Sequence, residues 1–138
     1  MSAEDDVRSA NEAFYSALEA GDLDAMRALW TPDEGALCIH PAAAPIHGSE
    51  AILRSWALIM ANTGYIQFFL TDVRVALRGD CATVTCTENI LTGDEQMGFD
   101  RFGGASANAV NFFVKSGDRW LLWSHVALPV VSRDHDDQ

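Results

Sequence analysis

The sequence predicts an α+β fold, a strongly bent antiparallel sheet wrapped around N-terminal helices, on three observations. First, the period of the apolar residues changes. Up to Gly64 they recur at helical spacing; after it they come in long runs rich in β-branched and aromatic residues. Second, the helical segments precede the long extended ones, the order of an α+β chain and not of an alternating α/β chain. Third, Gly79-Asp80 and Ser116-Gly117-Asp118 interrupt the extended runs as tight turns, which makes the flanking strands antiparallel. A sheet bent around the helices buries both sets of apolar faces and leaves a cone open at one end.

The elements follow in order. Ser2, with Glu4, Asp5 and Asp6 just after it, starts a helix where carboxylates meet the positive end of the dipole. Val7, Ala10, Asn11, Phe14, Ala17 and Leu18 share one face of it, and Gly21 ends it. Asp22 caps a short second helix through Leu23, Met26, Leu29 and Trp30, stopped by Thr31-Pro32-Asp33. Residues 35–40 form a short strand and 41–48 a loop. Ser49 and Glu50 open a third helix through Ile52, Leu53, Trp56, Ile59 and Met60, closed near Asn62-Thr63-Gly64. Strands are expected over 65–77, 81–91, 107–114 and 120–131. The one long loop, 92–106, carries Gly93, Gly98, Gly103 and Gly104 and is expected to act as a lid over the cone mouth.

The totals narrow the function classes. A chain of 138 residues, 49% apolar, has the size of one domain with one core. A net charge of −11 with no basic stripe opposes nucleic-acid binding. The acidic N-terminus, MSAEDDVRSA, lacks the apolar core of a secretory signal, and no apolar run is long enough to span a bilayer. Cys38, Cys81 and Cys86 are odd in number and follow no framework spacing, which reads as free thiols in a reducing cytoplasm. Cys81 and Cys86, five apart in one strand, point to opposite faces and should not bridge each other.

The stretch FYSALEAGDLDAMRALW, then a strand, then HGSEAILRSW, and later GDCATVTCTENI and VNFFVKSGDRWLLWSHVALP, resembles the nuclear transport factor 2-like (NTF2-like) superfamily, within it the SnoaL-like and ketosteroid-isomerase-like branch. The resemblance spans residues 6–131 as a single domain and leaves 132–138 as a polar tail. It implies a cystatin-like α+β barrel, a helix-lined mouth, and commonly a homodimer across the sheet. It does not imply one reaction: similar proteins include isomerases, dehydratases, cyclases, epoxide hydrolases and members without catalysis.

Candidate site residues follow from strand phase and from the resemblance. In the isomerase branch the strand after AGDLD ends in an acidic residue and a proline, the acid being the proton-abstracting base. Here His40-Pro41 falls at that place. Histidine titrates near ~6.5 and can accept a proton at neutral pH, or simply hydrogen-bond at a strand end. The two acidic donors of that branch are not matched: Phe14 replaces the helix tyrosine, with Tyr15 turned about 100° away, and Val110 or Asn111 replaces the carboxylic acid. Steroid isomerisation by that mechanism is therefore not expected.

Alternation in 81–91 sets Ala82, Val84, Cys86, Glu88 and Ile90 on one inward face. A lone carboxylate there would titrate high and serve as acid or base; the alternatives are an arginine partner or a dimer seam. On the last strand Leu121, Trp123, His125 and Ala127 share a face, with His125 a second acid–base group or an interface residue. Asn111 can orient a ligand carbonyl. Phe14, Trp30, Ile46, Trp56, Phe68 and Trp123 are candidate apolar walls for a flat or cyclic ligand.

No metal is expected: six residues separate His40 from His47, and neither a Cys pair nor a helical His pair is present. No cofactor is expected either. Asp72, Arg74, Asp100 and Arg101 do not reproduce the Asp–Arg–Asp cluster of an epoxide hydrolase. The function expected is a cofactor-independent isomerase, dehydratase or cyclase acting on a small apolar molecule, with His40 as base. The alternative is a non-catalytic ligand-binding or dimerisation module.

Overall fold

The structure, a computed structural model, describes residues 2–93 and 102–130. Helix α1 (Ala3–Ala20) opens on a capping box: Ser2 Oγ accepts from the Asp5 amide, and the Asp5 carboxylate accepts from the Ser2 amide. It closes on Gly21 at φ 64°, a left-handed conformation that glycine adopts without a Cβ penalty. Helix α2 (Leu23–Leu29) is capped by Asp22, whose carboxylate accepts from the Ala25 amide. Helix α3 (Ser49–Asn62) starts at the expected residue, but its N-cap is Gly48 and no side chain caps it.

The strands are β1 (Leu37–Ile39), β2 (Ile46–His47), β3 (Tyr65–Arg78), β4 (Cys81–Gly93), β5 (Phe102–Ser116) and β6 (Arg119–Pro129). They form one sheet in the order β2-β1-β6-β5-β4-β3. All neighbours are antiparallel except β1 and β6, which run parallel. That pairing draws the short strand after α2 onto the long last strand and stations the end of β1 beside His125, since Cys38 pairs with His125. The two-residue β2 lies within the stretch expected to be all loop. Of the long loop expected over 92–106, Thr92 and Gly93 belong to β4 and residues 102–106 to β5. Its remainder lies outside the described residues, so its role as a lid lies there too; so does the tail, 132–138.

The sheet curls at two identifiable places. In β3, Asp72 and Val73 stand opposite a single residue of β4, with Asp72 at φ 54°; this is a β-bulge, which bends the strand and adds twist. In β6 the pairing skips Trp123, a second irregularity. The three helices fill the concave side. Val7, Phe14, Met26, Trp30, Ile52, Trp56, Val84, Phe113 and Leu122 make the core, each nearly or wholly removed from water.

Candidate functional site

Small and polar residues interrupt this core at one end of the concave face. On β5, Ala107 and Ala109 stand opposite Glu88 and Cys86 of β4, so alanine leaves room beside the carboxylate. Asn111 follows on the same inward face, paired across strands with Val84 on one side and His125 of β6 on the other. Glu88, Asn111, His125 and Asn11 are all buried, and each has a partner, as buried polar groups require. Tyr15 donates its hydroxyl proton to Glu88 Oε2 at 2.6 Å. Asn111 Nδ2 donates to Asn11 Oδ1 at 2.8 Å and to the Tyr15 oxygen at 3.1 Å. Asn111 Oδ1 lies 2.5 Å from His125 Nδ1.

His40 follows β1 directly. Its Nε2 lies 2.9 Å from Ser55 Oγ, and Ser55 gives its single proton to the Ile52 carbonyl at 2.6 Å. The Ser55 oxygen is thus the acceptor from His40 Nε2–H, and Nδ1 of His40 keeps a lone pair. The ring stands edge-on to Trp56, centroids 4.6 Å apart, and Trp56 also touches Phe14 and His125.

Burial governs the protonation of every group here. It pushes the Glu88 carboxyl above the ordinary carboxylate range, against the opposing Tyr15 hydrogen bond. It lowers His40, and it lowers His125 to about 3, with His40 adding to the second effect. The Tyr15 hydroxyl is raised by burial and then by Glu88, so it stays protonated. Cys38 is pushed up to about 12 by the same two causes in the same order, and burial raises Cys86. Both imidazoles are therefore neutral at neutral pH, and neither buried thiol is a nucleophile.

A cavity of about 140 Å³ opens here, lined by Leu18, His40, Pro41, Trp56, Ile59, Ile66, Phe68, Glu88, Ile90 and His125. A hollow of this size accommodates a molecule such as benzene. Among the described residues neither the Glu88 Oε1 nor the His125 Nε2 has a hydrogen-bond partner, and the buried Trp56 indole N–H has none either.

Of the residues singled out in the sequence, His40, Glu88, His125, Trp56 and Phe68 line this cavity. Asn111 is not part of the lining; it connects to it through His125 directly and through Tyr15 to Glu88. Four expected walls are corrected. Phe14 is wholly enclosed and packs on Tyr15, Trp30, Trp56 and His125. Trp30 is core, its indole N–H spent on Met26 sulfur. Trp123 is exposed on the outer face against Phe112, because the irregularity in β6 moves it out of phase with His125 and Ala127. Ile46 is half-buried on β2 and packs on the core outside the cavity lining. Among the described residues Glu88 has no arginine partner, and it faces inward; its partner is Tyr15.

The sequence reading gives Asn11 a place on the inward helix face but no role, sets Tyr15 aside as turned away, and does not single out Ser55. The signal for two of them is present: Asn11 and Tyr15 are four apart on α1, which places them on one face. The sheet wraps the helix so far around that Phe14 and Tyr15, about 100° apart, are both enclosed.

Comparison with known proteins places this geometry. A family model described as SnoaL-like domain matches residues 7–131. No curated protein matches the chain. Among solved structures, a candidate dehydratase of the NTF2-like family from Streptomyces avermitilis is 47% identical, with TM-score 0.86 over 93% of this chain and 97% of that one. A candidate calcium/calmodulin-dependent protein kinase type II association domain from Thiobacillus denitrificans is 29% identical, with TM-score 0.79 over 90% and 94%. A Caulobacter vibrioides protein with a cystatin-like fold has TM-score 0.79 over 97% and 94% at 11% identity, a likeness of fold alone.

Proposed function

This chain belongs to the SnoaL-like family of NTF2-like proteins, and from that premise we propose that it is a cofactor-independent enzyme that moves protons on a small, neutral, single-ring substrate, dehydration foremost. One observation carries the reading. Three titratable side chains from three strand regions, His40, Glu88 and His125, meet in one cavity whose other walls are largely apolar. The description of the Streptomyces avermitilis relative as a candidate dehydratase supports the same reaction.

The chemistry follows from the protonation states. His40 offers the Nδ1 lone pair as base, and Glu88, held towards its acid form by burial, offers a proton on Oε1. On a β-hydroxy ketone, His40 takes the proton α to the carbonyl. The C–H pair becomes the new C=C bond, and the C–O pair leaves on oxygen, which takes the Glu88 proton and departs as water. The imidazolium then returns its proton to Glu88. Among the described residues no lysine or arginine lines the cavity, and Glu88 faces it, so a carboxylated or phosphorylated substrate is disfavoured.

The test is a panel of neutral cyclic β-hydroxy ketones and their carboxylated counterparts, followed by the ultraviolet absorbance of the conjugated enone. Turnover confined to the neutral compounds is expected. Quenching of tryptophan fluorescence on binding, with no enone from any compound, would instead favour a ligand-binding module.

The proposal extends to a homodimer. The sheet face away from the helices exposes Phe69, Val110, Trp123 and Leu128, a spread of large apolar side chains that solvent does not favour. The resemblance to a candidate association domain supports assembly through this fold. Sedimentation equilibrium is expected to give twice the chain mass, and Val110→Glu to give a monomer; a monomeric wild type would end this part of the reading. Among the described residues no helix is long and apolar enough to cross a membrane. The cysteines are free, which supports a cytoplasmic setting.

A further inference from the structure

We propose that Asn111 is a positioning residue: its side-chain amide, clamped by Asn11 and Tyr15, fixes His125 as the Nδ1–H tautomer and turns a bare Nε2 towards the cavity. This rests on the reading of that cavity as the reacting site, and it narrows His125, read from the sequence as an acid–base group or an interface residue, to a hydrogen-bond acceptor.

The argument is one of hydrogen-bond polarity. A primary amide presents an acceptor at one end and donors at the other, so the partners at one end decide what the other end offers. Tyr15 has one proton and gives it to Glu88 Oε2 at 2.6 Å. Its oxygen is therefore an acceptor, and it takes a hydrogen from Asn111 Nδ2 at 3.1 Å. Asn11 Oδ1 takes the other at 2.8 Å. Both hydrogens of the amide are thus directed to α1, and its oxygen faces β6. A carbonyl oxygen only accepts, so the hydrogen in the 2.5 Å contact with His125 belongs to Nδ1. With the ring neutral in its buried position, Nε2 holds a lone pair, has no partner among the described residues, and belongs to a residue that lines the cavity. Protonating Glu88 on Oε1 leaves this polarity intact, because Oε2 still accepts from Tyr15.

The chain Glu88–Tyr15–Asn111–His125 therefore runs in one direction across three strands and a helix. In the proposed reaction His125 accepts a hydrogen bond from the substrate hydroxyl and orients it, and the proton for the leaving oxygen comes from Glu88.

The experiment is a long-range ¹H–¹⁵N correlation spectrum of histidine side chains on the uniformly labelled full chain near neutral pH. The His125 signals are assigned by their loss in His125→Gln. In wild type, Nδ1 is expected to show a pyrrole-like shift and Nε2 a pyridine-like one. Asn111→Leu removes the acceptor, and the two shifts are expected to exchange wholly or in large part. Asn111→Asp keeps an acceptor against Nδ1 and adds a charge, so both nitrogens are expected to become protonated. A neutral Nε2–H ring in wild type or in Asn111→Asp would overturn the proposal, as would an Asn111→Leu spectrum identical to wild type. Where Asn111→Leu does not fold, wild type and Asn111→Asp decide. Failure of the enzymatic reading appears elsewhere, as absence of turnover with these spectra unchanged.

Discussion

Alanine at His40 is expected to lower kcat for the neutral substrates by about 10²–10⁴-fold, the range that a positioned general base contributes. Substrate affinity should stay within a few-fold. The ring is half-buried at the end of β1, and its partner Ser55 retains the bond to the Ile52 carbonyl, so the variant leaves the fold supported. What it removes is the Nδ1 lone pair, the Nε2–H bond to Ser55, and the ring's contacts with Trp56 and the Cys38 sulfur. Glu88→Gln should act at the same step from the opposite side: the amide can still accept from Tyr15 through its oxygen, but it has no acidic proton for the leaving hydroxyl. Steady-state kinetics on both variants, with thermal melts beside them, check the pair. A kcat unchanged in His40→Ala would remove the base assignment, and an unchanged kcat in Glu88→Gln would remove the acid.

Strand phase made half of this site legible. Strict alternation through Ala82, Val84, Cys86 and Glu88 identified an inward carboxylate without reference to any relative, because period 2 holds wherever a strand is regular. The same logic misplaced Trp123, because a one-residue irregularity in β6 reverses the phase and nothing local marks it. Phe14 and Trp30 were assigned to a pocket for being aromatic on apolar helix faces, yet in a sheet this curved such faces are mostly core. The role of Tyr15 is illegible for a different reason. Its partners lie 73 and 96 residues away on β4 and β5, a juxtaposition that only the closed sheet creates. The parallel seat of β1 beside β6, which brings His40 to the same cavity as His125, is of the same kind. Local order was readable from spacing and punctuation; the site is built from pairings over long sequence distance.

Stability should depend on pH through the same residues, with two opposing signs. His125 sits near the ordinary histidine value when unfolded and at about 3 in the fold. Above the unfolded value both states are neutral and nothing is lost. As pH falls below ~6.5, the unfolded chain takes up a proton that the folded one refuses, and the fold loses up to about 1.4 kcal/mol per pH unit until the folded value is reached. His40, lowered by burial, acts with the same sign. Glu88 acts oppositely: its folded value is raised, so its contribution is full below the ordinary carboxylate range and fades as pH rises through the folded value. A chain of net charge −11 also sheds self-repulsion on acidification, which masks the histidine limb in wild type alone. The difference between wild type and His125→Gln in urea midpoints, measured from about pH 4 to about pH 8, cancels that common background. The difference is expected to grow against wild type as pH falls, and Glu88→Gln should diverge in favour of the variant as pH rises. Parallel curves for His125→Gln would mean that the ring is charged or solvated in the fold, and with it would go the neutral imidazole on which both the cavity chemistry and the Asn111 clamp depend.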